Sequence, residues 1–147
     1  MIKVALDAMG GDNAPDAVVE GAVLAAREAA GRYGIVLAGP EDTVRSLLNK
    51  YGWSGEGIEV FHAPGIVNMD DSPTVVLKTK TDSGLVACVQ LQKMGKVQAS
   101  ISAGNSGAMM AACLMILGRV GQIPRPAIAC VMPSLVRSLI RLDCATI

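Results

Sequence analysis

The chain has 147 residues, 51% of them apolar but only 3% aromatic, and its 13 acidic and 13 basic side chains balance. That length holds one domain with a core of Ala, Val, Leu, Ile and Met, a composition suited to helices packed on a buried parallel sheet. A balanced charge without a long basic tract argues against a nucleic-acid partner, the most apolar run (108–117) is too short to span a bilayer, and the N-terminus does not read as a signal peptide; a cytoplasmic protein is expected, with peripheral membrane contact left open.

Residues 2–6 read as a short β run, followed by the polar, glycine-containing corner "LDAMGGDNAP" at 6–15. Residues 15–30 carry Val18, Val19, Ala22, Val23 and Ala26 at helical spacing, with Pro15 in the first turn, Asp12 or Asn13 as cap, and Gly31 and Gly34 ending the helix. A strand at 35–38, a helix at 41–51 with acidic residues in its first turn, and a strand at 58–61 follow. Residues 63–73 form an irregular polar loop, and helices are predicted around 74–80 and over 83–94. A strand at 97–102, an apolar helix at 108–117, a buried strand at 127–132 and a further strand at 139–142 complete the pattern. This alternation predicts an α/β fold, a mostly parallel sheet in three layers with helices on both faces, and loops after strands gathered along one edge.

Three post-strand segments are rich in Gly and short polar residues. In the first, Gly10 and Gly11 permit a sharp turn, and Asp7, Asp12 and Asn13 exceed what capping requires. In the second, Gly104, Asn105, Ser106 and Gly107 place amides and a hydroxyl at a helix start, an arrangement suited to an anion. It lacks both the Gly-Lys-Ser/Thr ending of a nucleoside-triphosphate loop and the GxGxxG spacing of a dinucleotide site. In the third, Lys78 and Lys80 precede Asp82, Ser83 and Gly84, and are read either as phosphate-facing or as solvated. The single histidine, His62, is read as structural, and Trp53 as a half-buried packing residue. The four cysteines at 88, 113, 130 and 144 match no zinc spacing and are read as small hydrophobes; neither a metal nor a cofactor is expected.

The segments "DAMGGDNAP" (7–15), "MDDSP" (69–73), "KTKTDSG" (78–84) and "SAGNSGAMMAA" (102–112) occur in this order and together resemble the PlsX family of bacterial phosphate acyltransferases. The resemblance covers nearly all of 1–134, an N-terminal portion of the family's α/β domain. It implies transfer of a fatty acyl group from acyl carrier protein to inorganic phosphate, a homodimer, peripheral membrane association, and a fold similar to isocitrate and isopropylmalate dehydrogenases. For that reaction, backbone amides at a helix start suit phosphate or acyl phosphate, which places it at Gly104, Asn105, Ser106 and Gly107. Asp7, Gly10, Gly11, Asp12 and Asn13 line the cleft, with Lys80, Asp82 and Ser83 facing them. No catalytic side chain is assigned, because a phosphate dianion attacks a thioester without an enzyme nucleophile.

Residues 135–147 diverge from the family, whose chains are about twice as long, so an inactive fragment with exposed apolar faces is expected. Two alternatives stand beside the acyltransferase. One is a non-catalytic phosphate- or partner-binding module. The other is an NAD-dependent decarboxylating dehydrogenase of related fold, for which no arginine cluster is visible.

Overall fold

The computed structural model describes residues 1–121, 123, 127–132 and 139–143. Met1–Leu117 and Gly118–Ile147 form two compact units. The first contains β1 (Ile2–Asp7), α1 (Asp16–Ala29), β2 (Tyr33–Gly39), α2 (Glu41–Lys50), β3 (Ile58–His62), α3 (Pro73–Thr79), α4 (Gly84–Lys93), β4 (Ala99–Ile101) and α5 (Ser106–Ala112), which runs into a π-helical turn, Cys113–Leu117. Its four strands lie in the order β3-β2-β1-β4, and all three pairings are parallel.

Side-chain alternation along β2 separates the layers. Ile35 and Leu37 pack with Val19, Val23, Val44 and Leu48 of α1 and α2. Val36 and Ala38 point the other way, into a cluster with Ala5, Ala87, Cys88 and Leu91, the last three on α4. Outside that face, Val76 of α3, Leu85, Val86 and Val89 of α4, and Ala108 and Ala112 of α5 form a third cluster. The expected α/β architecture with a parallel sheet and helices on both faces is therefore present, and it follows from period-two apolar patterning against helical patterning.

Several local expectations need correction. Neither Asp12 nor Asn13 caps α1: Pro15 is the N-cap residue, with no side-chain cap bond, and the backbone carbonyl of Asn13 accepts the Ala17 amide instead. Gly34 does not end α1 but lies within β2; the helix closes on Ala30 and Gly31, both at positive φ. β4 is three residues long, and α5 starts at Ser106 because Asn105 caps it. The strand expected to be buried at 127–132 forms as β5 (Ile128–Met132), but it pairs antiparallel with β6 (Leu139–Asp143) and leaves Ile128 exposed. A two-stranded ribbon has too few neighbours to bury its faces.

His62 plays the structural part expected: its Nδ1 accepts the Glu41 amide at 3.2 Å, capping α2 where Pro40 offers no side-chain bond. Trp53 is half-buried beside the α1–α2 cluster. Cys88 is buried and its thiol pushed up by burial, the behaviour of a core hydrophobe. Cys113 is half-buried. The side chain of Cys130, and Cys144 altogether, lie outside the described residues.

Candidate functional site

From β1 the chain steps to β2 and β3 on one side; β4 joins β1 on the other. α1, which follows β1, lies on the Ile35/Leu37 face, whereas α5, which follows β4, packs with α3 and α4. The two loops leaving the C-terminal ends of β1 and β4 thus part to opposite faces. This is the switch point at which open α/β sheets bind ligands.

The polar burial of the unit concentrates here. Among the described residues the buried polar or charged side chains are Asp7, Ser83 and Asn105. Asp7 ends β1 at 3% exposure on the Ala5/Ala38 face, in register with Ala38. Its Oδ2 accepts from Ser102 Oγ at 2.8 Å and its Oδ1 from the Met9 amide at 3.2 Å. Burial pushes the Asp7 carboxyl above its usual range, against the lowering effect of those two bonds. Ser102 Oγ also accepts the Gly104 amide at 3.1 Å.

The two glycine corners touch. A Cβ at Gly10 would lie 2.5 Å from Ser102 Oγ, 2.6 Å from Asp7 Oδ2 and 3.0 Å from the Gly104 nitrogen, so only glycine admits this approach. Gly11 sits at φ +120° against Ala103. Behind Asp7, a Cβ at Gly84 would meet its Oδ1 at 2.5 Å and the Ala38 carbonyl oxygen at 2.6 Å, which seats the start of α4 directly on the sheet.

Asn105 ties the second corner to the loop before α3. Its Oδ1 accepts the Ala108 amide at 2.9 Å, the N-cap bond of α5. Its Nδ2 donates to the carbonyls of Asn68 (3.1 Å), Met69 (3.2 Å) and Asp71 (2.9 Å). Both ends of the amide are occupied, so what the 104–107 corner offers an anion is backbone amide and the Ser106 hydroxyl. The same loop is held from its other side by the Lys80–Asp71 ion pair. Lys80 first, and the Asn68 amide second, keep the Asp71 carboxyl below its usual range.

The structure thus brings Asp7, Gly10, Gly11 and Gly104 together and places Ser83 and Gly84 against Asp7's side of the sheet. Ser83 caps α4 through the Val86 amide at 3.5 Å, and the backbone of Asp82 accepts the Gly65 amide at 3.2 Å. Lys80, its side chain 28% exposed, is engaged with Asp71. Asp12 and Asn13 continue the first corner, and Ser106 and Gly107 open α5. Sequence reasoning gave Ser102 no role of its own and took Asp71 only as part of the entry to the helix after Pro73. Ser102 is one step past the Leu6–Ile101 pair, opposite Asp7 by continuation of the register; without that register it reads as any strand-end serine. Among the described residues no group of three or more His, Cys, Asp or Glu gathers to hold a metal, and no helix is long and apolar enough to cross a membrane.

With the geometry established, the chain compares as follows. It is 45% identical over 135 residues to a phosphate acyltransferase of Chlorobaculum parvum, covering 92% of this chain and 40% of that protein. It is 46% identical over 142 residues to one of Anaeromyxobacter sp. (95% and 38%) and 45% identical over 144 residues to one of Trichlorobacter lovleyi (97% and 41%). The chain spans about two fifths of the length of these relatives. The sequence model of the family described as "Fatty acid synthesis protein" matches residues 2–146, and the chain belongs to that family.

Proposed function

We propose that this chain is the N-terminal portion of a phosphate acyltransferase of phospholipid synthesis, which moves a fatty acyl group from acyl carrier protein to inorganic phosphate. The observation that carries the reading is the contact between the two glycine corners at the switch point, in a chain whose relatives are named phosphate acyltransferases.

In the reaction, a phosphate oxygen attacks the thioester carbonyl, an acyl–oxygen bond forms, and the carbon–sulfur bond breaks. The carrier leaves as a thiolate and takes up a proton. The protein's task is to hold the dianion against the carbonyl and to stabilise the oxyanion with donors already in place. The 104–107 corner supplies backbone amides and the Ser106 hydroxyl to the phosphate. Asp7, Gly10, Gly11, Asp12 and Asn13 shape the facing wall. Ser83, Asp82 and Lys80 act from behind, by seating α4 and the loop that Asn105 clasps. The fold extends as in isocitrate and isopropylmalate dehydrogenases, and the whole protein is a homodimer that works at the cytoplasmic membrane surface.

Incubating the 147-residue chain with acyl-ACP and phosphate, and following acyl phosphate and free carrier thiol, tests the reading for this chain. Product that depends on phosphate and disappears on Gly10→Val supports it; thioester loss indifferent to phosphate refutes it. The chain's span of two fifths of its relatives favours a second reading, a phosphate-binding portion without turnover. That reading expects phosphate binding and no acyl phosphate.

A further inference from the structure

Ser102 lies outside the residues assigned to the cleft, yet its side chain is hydrogen-bonded to both corners. Its hydroxyl accepts the Gly104 amide at 3.1 Å and lies 2.8 Å from Asp7 Oδ2. A hydroxyl has one hydrogen, and the Gly104 bond does not use it, so that hydrogen goes to Asp7. The bonds then run from Gly104 N–H to Ser102 Oγ and from Ser102 O–H to the Asp7 carboxylate. The missing Cβ at Gly10 provides the space this hydroxyl occupies.

We propose that Ser102 is a positioning residue of the cleft: it locks the Gly104 amide to Asp7, so that the corner after β4 is held against the corner after β1 with its later amides left for an anion. The anion part rests on the reading of the cleft given above; the lock does not. Gly104 N–H is spent internally, and the donors left to the anion begin beyond it. Among the described residues, neither the Ser106 nor the Gly107 amide has a hydrogen-bond acceptor within the chain.

The test uses the full 147-residue chain labelled with nitrogen-15, as wild type, Ser102→Ala, Asp7→Asn and the double variant. Asp7→Asn is expected to displace the Gly104 amide resonance when Ser102 is present and to leave it in place in the Ser102→Ala background. Ser102→Ala is expected to speed hydrogen exchange at Gly104 roughly tenfold, while Ala5 and Leu37 in the sheet keep their protection. Titration with inorganic phosphate, read at Gly107, is expected to show roughly fivefold weaker binding in Ser102→Ala. A Gly104 resonance that answers Asp7→Asn equally with and without the hydroxyl overturns the lock. A lock that behaves as expected beside unchanged phosphate affinity overturns the positioning role and leaves the anion reading standing. A working lock in a wild-type chain that ignores phosphate supports the lock and refutes the anion reading.

Discussion

Asp7 combines near-complete burial with two accepted hydrogen bonds and no cationic partner among the described residues. Its carboxyl is held above the ordinary 3.8, mainly by burial, so the folded chain binds that proton more tightly than the unfolded chain does. The stability linked to it is full below 3.8 and is lost as pH rises through the raised folded value. Asp7→Asn should flatten that decline, and urea titrations of both proteins at stepped pH will show it as a stability difference changing above, not below, 3.8. Asp71 runs the other way: Lys80 holds it low, so its contribution disappears as pH falls below 3.8. Asn105 is the other decisive residue. Because its amide joins a helix cap to three loop carbonyls, Asn105→Ala should cost about 2–4 kcal/mol in the same assay, against about 1 kcal/mol for an isolated N-cap. That glycine and asparagine would crowd this corner was legible in "SAGNSG". Which way the Asn105 side chain turns was not, since its acceptors lie 34–37 residues away in the chain.

At the level of elements, the boundaries that sequence placed well are those set by periodicity, and those it missed are set by tertiary contact. β1, α2, β3 and α4 follow their apolar spacing closely. α1 lost its expected side-chain cap because the chain turns at Pro15, where a backbone carbonyl serves. The 108–117 helix gained two residues at its start through Asn105 and changed to π-helical hydrogen bonding from Cys113. Two glycines in helices make opposite forecasts. Gly21, within α1, has open space where a Cβ would go, and Gly21→Ala should stabilise by about 0.5–1 kcal/mol. Gly84, at the first position of α4, has the Ala38 carbonyl oxygen 2.6 Å from that point, and Gly84→Ala should destabilise by about 1–3 kcal/mol or prevent folding. Thermal melts of the two variants side by side should move in opposite directions; a common sign would contradict the close seating of α4.

For the molecule as a whole, the three buried clusters all lie within Met1–Leu117. A fragment ending at Leu117 should therefore keep the far-ultraviolet spectrum and a cooperative melt; a gradual, featureless transition would show that later residues are needed. A groove of about 590 Å³ runs beside α1 over the outer half of the sheet, lined by Ile2, Val4, Leu6, Val18, Ile35 and Ile101. The α/β class was legible because strand and helix periods alternate. The position of β4 beside β1 was not, since nothing local says that a strand will cross to the far side of the first one.

That placement of β4 also sets the order of assembly. β1, β2 and β3 join neighbours in sequence, but the β1–β4 seam brings together Lys3 with Gln98 and Asp7 with Ser102, each 95 residues apart. Closing so long a loop carries the largest entropic toll of any pairing in the sheet, and it is repaid by only three paired residues and the polar knot at their end. The crevice is therefore expected to close after the three-strand half and to open before it, which faster hydrogen exchange at Ile101 than at Leu37 would show.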